Sequence, residues 1–220
     1  MRYLAGAQTW KAVYAWQWLY LPVLYGFLSF LTRVQDVAAT FLARTSGPVR
    51  VNYYGAPALR LLAPKLFWAA WRIALPLLVW RVPAATFWPL FALTEAATGF
   101  YLAYNFEVSH VADTVEWPAA APGAVLPRCW AESQVATGVD YAHGSAAAAW
   151  WSGALNYQIE HHLFPGISQY HYPALAPIVM AAAKEFGVPY RVEPHFLAAW
   201  VAHVRYLYTL GKSGVAHKMD

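Results

Sequence analysis

The chain has 220 residues, of which 60% are hydrophobic and only 12% charged, about half the charged share of an ordinary soluble domain. Its net charge of +4 comes from Lys and Arg scattered without a basic stripe, which excludes a nucleic-acid-binding protein. The single cysteine, Cys129, excludes an internal disulfide and a cysteine-built zinc site, whereas twelve Trp and fifteen Tyr point to aromatic belts at a membrane surface.

Three apolar segments fill the first half. The first, residues 12–32, has the length of a span but carries Gln17 and Pro22. Lys11 precedes it and Arg33 follows it without a cleavage site, so it does not read as a signal peptide. The second, 66–82, is short for a span of about 20 residues, and snorkelling of Lys65 and Arg81 extends it. The third, 84–104, has full length. Only Arg81-Val82-Pro83 separates the last two, which predicts an antiparallel helical hairpin. Arg33, Arg44, Arg50 and Arg60 stand against a single Asp36 in the preceding loop. That excess places the loop in the cytoplasm, so the second segment crosses outward and the third returns. Arg72 and Glu95 lie at similar distances from Pro83, and charges inside a bundle are normally paired. An Arg72–Glu95 ion pair is therefore expected.

Beyond the hairpin, residues 111–150 read as polar and irregular with helical stretches. Residues 154–162 and 173–186 read as helices, the second ended by Gly187 and Pro189. Residues 194–210 read as a last amphipathic helix with Pro194 in its first turn. No strand pattern is visible. The predicted fold is all-α.

The string Gln158-Ile159-Glu160-His161-His162 carries the chemistry. On a helix at about 100° per residue, Gln158, His161 and His162 share one face while Ile159 and Glu160 point elsewhere. Two imidazoles and an amide oxygen make a candidate metal site. Imidazole suits iron, zinc and copper, so the string alone does not choose the metal. A second string, Asn105-Phe106-Glu107-Val108-Ser109-His110, stands where the third apolar segment meets the cytoplasm. His110 there reads either as a further ligand from a spanning helix or as a histidine at a helix C-terminus. Asn105 shares its face only loosely. His143, His171, His195 and His203 read as structural. His171 is the exception to watch, because it follows the string closely enough to hydrogen-bond a ligand. His217, in a polar tail, reads as free.

These residues resemble a known family. Gln158 to His162 is similar to the third histidine box of membrane front-end fatty acid desaturases, in which glutamine replaces the first histidine. The similarity continues through LFPGISQYHYPALAPIV at 163–179. It also takes in NFEVSHV at 105–111, WAESQVATG at 130–138 and LYLPVLYGFLSFLTRVQDV at 19–37. The resemblance implies two iron ions with O2 as co-substrate. His161, His162, Gln158 and His110 would stand at ligand positions, and Asn105 would reach an iron through water. It implies a fatty-acyl substrate, carried on CoA or on a glycerolipid, and membrane lipid as surroundings, with cytochrome b5 and NADH-cytochrome b5 reductase as electron donors. The endoplasmic reticulum is the expected membrane, with a plastid membrane as the alternative.

Boxes of the types HDxxH and HxxHH, and a cytochrome b5-like domain, do not occur in the chain. It is therefore expected to be the C-terminal part of a desaturase, inactive by itself. Family topology also makes segment 12–32 interfacial or re-entrant, and residues 105–220 a cytoplasmic helical cap. Two other readings stay open at this point. One is part of a related membrane lipid hydroxylase or sphingolipid desaturase. The other is a non-catalytic membrane protein that holds a metal or haem.

Overall fold

The computed structural model describes residues 10–46, 49–51, 55–118 and 128–212. His217 and residues 119–127 of the Ala/Pro stretch lie outside them. The chain divides into two compact units, Val23–Ala103, and Met1–Pro22 with Tyr104–Asp220. Nearly all regular structure is helical, as the composition predicts.

Segment 12–32 is not one helix. A 3-10 turn at Ala12–Trp16 leads into α1 (Gln17–Leu24), a second 3-10 turn at Tyr25–Phe27 and then α2 (Leu28–Val37). Pro22 withholds an N–H inside α1, and the ladder tightens after it. After α2 a π-helical stretch, Ala38–Ala43, ends at Arg44 with φ 53°. Two-residue strands β1 (Thr45–Ser46) and β2 (Val49–Arg50) follow, paired antiparallel.

The second apolar segment is longer than its sequence reading. Helix begins at Ala56, with a proline in its first turn where no N–H is needed. α3 (Ala56–Ala69) then widens to a π-helix over Ala70–Val79, which contains Pro76. A wider turn relieves the clash between a proline ring and the carbonyl four residues back. Pro57–Val79, 23 residues, is the one helix among those described that is long and apolar enough to cross a membrane by length and composition. None of its apolar window is buried, whereas the core helix of a soluble domain is mostly buried.

The turn Trp80–Pro83, with Arg81 at φ 52°, reverses the chain into α4 (Ala84–His110). Trp68 meets Phe91 with ring centroids 6.0 Å apart. Arg72 reaches Thr94 Oγ1 at 3.1 Å and Glu95 Oε1 at 3.5 Å, so the expected ion pair is present. Glu95 is buried and has a further partner that the sequence did not suggest: Arg33 donates to its Oε2, as does the Ser29 hydroxyl at 2.8 Å. Arg33 also lies 4.3 Å over the Trp68 ring, a cation–π contact. One buried carboxylate thus binds α2, the π-helix and α4 together. Gly99 allows the closest backbone approach in this unit, because a Cβ there would run into the carbonyls of Gly26 and Tyr25.

In the other unit the end of α4 is followed by α5 (Trp130–Ala136), β3 (Asp140–Tyr141), α6 (Ala146–Ser152), α7 (Gln158–Leu163), α8 (Tyr172–Glu185), β4 (Val192–Glu193) and α9 (Phe196–Lys212). β3 and β4 pair in parallel, Asp140 opposite Val192. Residues 10–18 dock on the end of α9. Trp10 Nε1 donates to Gly211 O and Gln17 Nε2 to Leu207 O, both at 2.9 Å, and Trp18 sits edge-on to Tyr208. The helix read at 154–162 starts later, at Gln158, because Gly153 (φ 63°) and Ala154 (φ 61°) turn the chain in the left-handed region first.

Candidate metal centre

α7 is six residues long and has no side-chain cap of its own. Its position comes from what it buries and from its neighbours. Ile159, fully buried, packs with Val135, Val179 and Ala183, and Leu163 closes on the same cluster. Ile159 and Leu163 are one turn apart, so burying them turns Gln158, His161 and His162 to the other side. The residues just before α7 are also held. The Asn156 side chain donates to Tyr141 O at 3.1 Å, and its carbonyl accepts from Tyr141 N at 3.0 Å.

His110 ends α4. Val139 N donates to Ser109 O at 3.1 Å, and His203 Nδ1 to Val111 O at 2.6 Å, which fixes the backbone on both sides of it. The His110 and His162 rings stack with centroids 4.8 Å apart and planes 18° from parallel. His161 and His162 are 5.9 Å apart. The Gln158 amide donates to His162 Nε2 at 2.9 Å. The four side chains that the sequence singled out as ligands are thus brought together.

Gln158 Oε1 and His162 Nδ1 are buried without a hydrogen-bond partner, an arrangement that costs free energy unless another group engages them. Burial, and then the neighbouring His162 and His161 rings, push His110 down to about 4. Burial and His161 lower His162 as well, against an opposing effect of Asp140. These imidazoles are therefore neutral at pH 7, the form that binds metal. A cluster of half-buried imidazoles beside an unpartnered amide oxygen fits an imidazole-bound transition ion.

Asn105 is buried on α4, about 140° around the helix from His110 by 3.6-residue geometry. His171 is exposed, in a 3-10 turn at Gln169–His171. Its neighbour Tyr172 takes the supporting place, with its hydroxyl 3.5 Å from His161 Nδ1. His143 and His203 are part of hydrogen-bonded structure, and His195 Nδ1 accepts from Ala198 N at the start of α9.

A second group lies behind α7. Asp140, His143 and Glu160 bring candidate ligand atoms to within 4.8 Å of one another. Asp140 and Glu160 are fully buried, and the Tyr190 hydroxyl bridges them, 2.6 Å from Asp140 Oδ2 and 2.8 Å from Glu160 Oε1. Burial and then Asp140 push Glu160 up to about 8, so this pair holds a proton at neutral pH. The sequence reading passed over the group. Its one visible signal is a glutamate inside an otherwise buried helix.

The family described as "Fatty acid desaturase" matches residues 2–194. An acyl-lipid (8-3)-desaturase of Mortierella alpina is 34% identical over 93% of this chain and 46% of its own length. A protein of the same name from Physcomitrium patens is 37% identical over 96% and 44%. Delta(5) fatty acid desaturase A of Dictyostelium discoideum is 35% identical over 93% and 45%. The chain spans a little under half the length of these relatives. No solved structure gives a significant match. A family match across most of the sequence, together with a histidine cluster built from the residues of the box itself, shows that this chain belongs to the fatty acid desaturase family.

Proposed function

We propose that the chain carries the third histidine box of a front-end acyl-lipid desaturase, and that His161, His162, Gln158 and His110 hold iron there. The observation behind this reading is the grouping of His110, His161 and His162, with ring centroids 4.8 and 5.9 Å from one to the next, beside Gln158, whose Oε1 is buried without a partner. When bound, a di-iron centre supplies the O2-derived oxidant needed to remove two hydrogens from an unactivated acyl chain, chemistry that side chains alone do not perform. The residues of this chain present the ligand nitrogens and orient them. Tyr172 steadies His161. Asn105 is proposed to reach an iron through water.

The exposed apolar surface of Pro57–Val79 supports membrane association. We place this helix and residues 84–104 across the bilayer as a hairpin, with the arginine-rich loop in the cytoplasm. Segment 12–32 then lies at the interface, and residues 105–220 form a cytoplasmic cap. The proposed membrane is the endoplasmic reticulum. The proposed electron donors are cytochrome b5 and its NADH-dependent reductase.

The test is a chimera in which this chain replaces the matching half of the Mortierella alpina desaturase. Cells expressing it and fed polyunsaturated acids are expected to make a new double bond, seen by gas chromatography–mass spectrometry. His161→Ala is expected to abolish the product. A membrane-inserted chimera that makes no product, beside an active parent, refutes the reading.

A further inference from the structure

Asp140 is fully buried and both of its oxygens are engaged. Oδ1 accepts from the Ile159 backbone N–H at 2.9 Å. Oδ2 accepts from the Tyr190 hydroxyl at 2.6 Å and lies 2.9 Å from His143 Nε2. The Tyr190 hydroxyl stands between the two carboxyl groups, so donors from the protein engage Asp140 fully, whereas Glu160 keeps one oxygen, Oε2, buried without a partner.

The bond to Ile159 has a particular meaning. Helix starts leave N–H groups without partners, and a side-chain oxygen normally caps them from the residue just before the helix. In α7 that residue is Tyr157, which makes no such bond. Asp140 does so from a different strand. The residues after it extend the grip. Tyr141 exchanges backbone and side-chain bonds with Asn156. His143 stacks on Tyr157 at 4.6 Å. Gly144 N donates to the Tyr157 hydroxyl at 2.9 Å. A run of five residues thus holds the entry and first turn of a helix too short to hold itself. Tyr190 adds a second tie through Glu160, whose neighbour in sequence is His161.

We propose that Asp140 is a positioning residue for the ligand helix: it caps α7 from outside the helix and, through Tyr190, fixes the turn that carries His161 and His162. The inference rests on reading α7 as the metal-ligand helix. Partners that orient metal ligands are typically worth about 10–100-fold in metal affinity.

The test is anaerobic titration of the purified full chain in detergent with Co2+, read by its visible absorption, combined with amide hydrogen exchange. Asp140→Ala is expected to weaken Co2+ binding about 10–100-fold and to speed exchange at Ile159 while leaving α9 unchanged. Asp140→Asn keeps an oxygen for the Ile159 N–H and is expected to recover part of the affinity. Tyr190→Phe, which removes only the bridging hydroxyl, is expected to weaken binding without loss of fold. His161→Ala is expected to abolish the spectrum. Parent-like binding in Asp140→Ala and Tyr190→Phe, beside loss in His161→Ala, overturns the positioning role alone. Parent-like binding in His161→Ala overturns the ligand reading and this inference with it.

Discussion

His110 and His162 face each other as near-parallel rings 4.8 Å apart, one at the end of the long helix α4 and the other on the short helix α7. Stacked imidazoles gain little by themselves, and under the proposed function they hold iron. His110→Ala should therefore reduce bound iron in the chimera, measured by elemental mass spectrometry. Tyr172→Phe should weaken retention a few-fold, since its 3.5 Å contact to His161 is long for a hydrogen bond. His171→Ala, at an exposed site, should change nothing. An effect of His171→Ala equal to that of Tyr172→Phe would contradict this placement.

Buried histidines should weaken the metal-free protein in acid over a defined window. Burial lowers His110 to about 4, and burial also lowers His203, against the raising effect of its bond to Val111. In the unfolded chain both titrate near 6.5. Their contribution to stability is therefore fully present above about pH 6.5 and falls as pH drops towards the folded values. Glu160, raised to about 8 by burial and then Asp140, acts in the opposite sense over this range, so the histidine effect is read as a difference between variants. In thermal unfolding in EDTA from pH 7.5 to 4.5, the Tm of His203→Gln, whose amide still offers a donor to Val111 O, should rise relative to the parent's as pH falls. A relative Tm that stays level or falls would show the sign to be wrong.

Glu95 offers a test of a buried charge. Arg33 is its nearer partner and Arg72 the more distant one, at 3.5 Å. Glu95→Gln leaves both arginines without their countercharge and is expected to cost about 3 kcal/mol, as for other broken buried pairs. In double-mutant cycles by SDS titration, coupling to Arg33 should exceed coupling to Arg72, the latter about 0.5 kcal/mol. Zero coupling for both pairs would show that the contacts carry no energy.

Two glycines in the same unit should behave differently. Alanine at Gly99 directs its Cβ at backbone carbonyls, which cannot step aside, whereas alanine at Gly26 meets the Phe100 ring at 3.2 Å, which can. Gly99→Ala should cost about 3 kcal/mol and Gly26→Ala about 1 kcal/mol, measured by the same titration. Equal costs would show that the close approach is not rigid.

Features with a local period were legible in the sequence. The face shared by Gln158, His161 and His162 follows from helical spacing, and the Arg72–Glu95 pair from counting away from Pro83. Other features depend on partners far along the chain. Nothing near Glu95 points to Arg33, and nothing near Glu160 points to Tyr190. β3 and β4 have two residues each, too few to show alternation. The chain keeps its helical course through Pro64 and Pro76, with a π-helix around Pro76. Near His161 the structure puts the Tyr172 hydroxyl at 3.5 Å, while His171, in the turn at Gln169–His171, is exposed.

The clamp that Asp140 places on α7 bears on how such a motif can be borrowed. A five-letter string of glutamine and histidines looks portable, ready to be grafted onto any designed helix. Here its geometry is underwritten by a strand 18 positions upstream and a tyrosine 30 positions beyond Glu160. A transplant carrying only residues 158–162 would take the ligands and leave their jig behind. A transferable module needs the span from Asp140 to Tyr190 together with His110 from α4 and Val135 from α5, and protein designers should copy that set rather than the string.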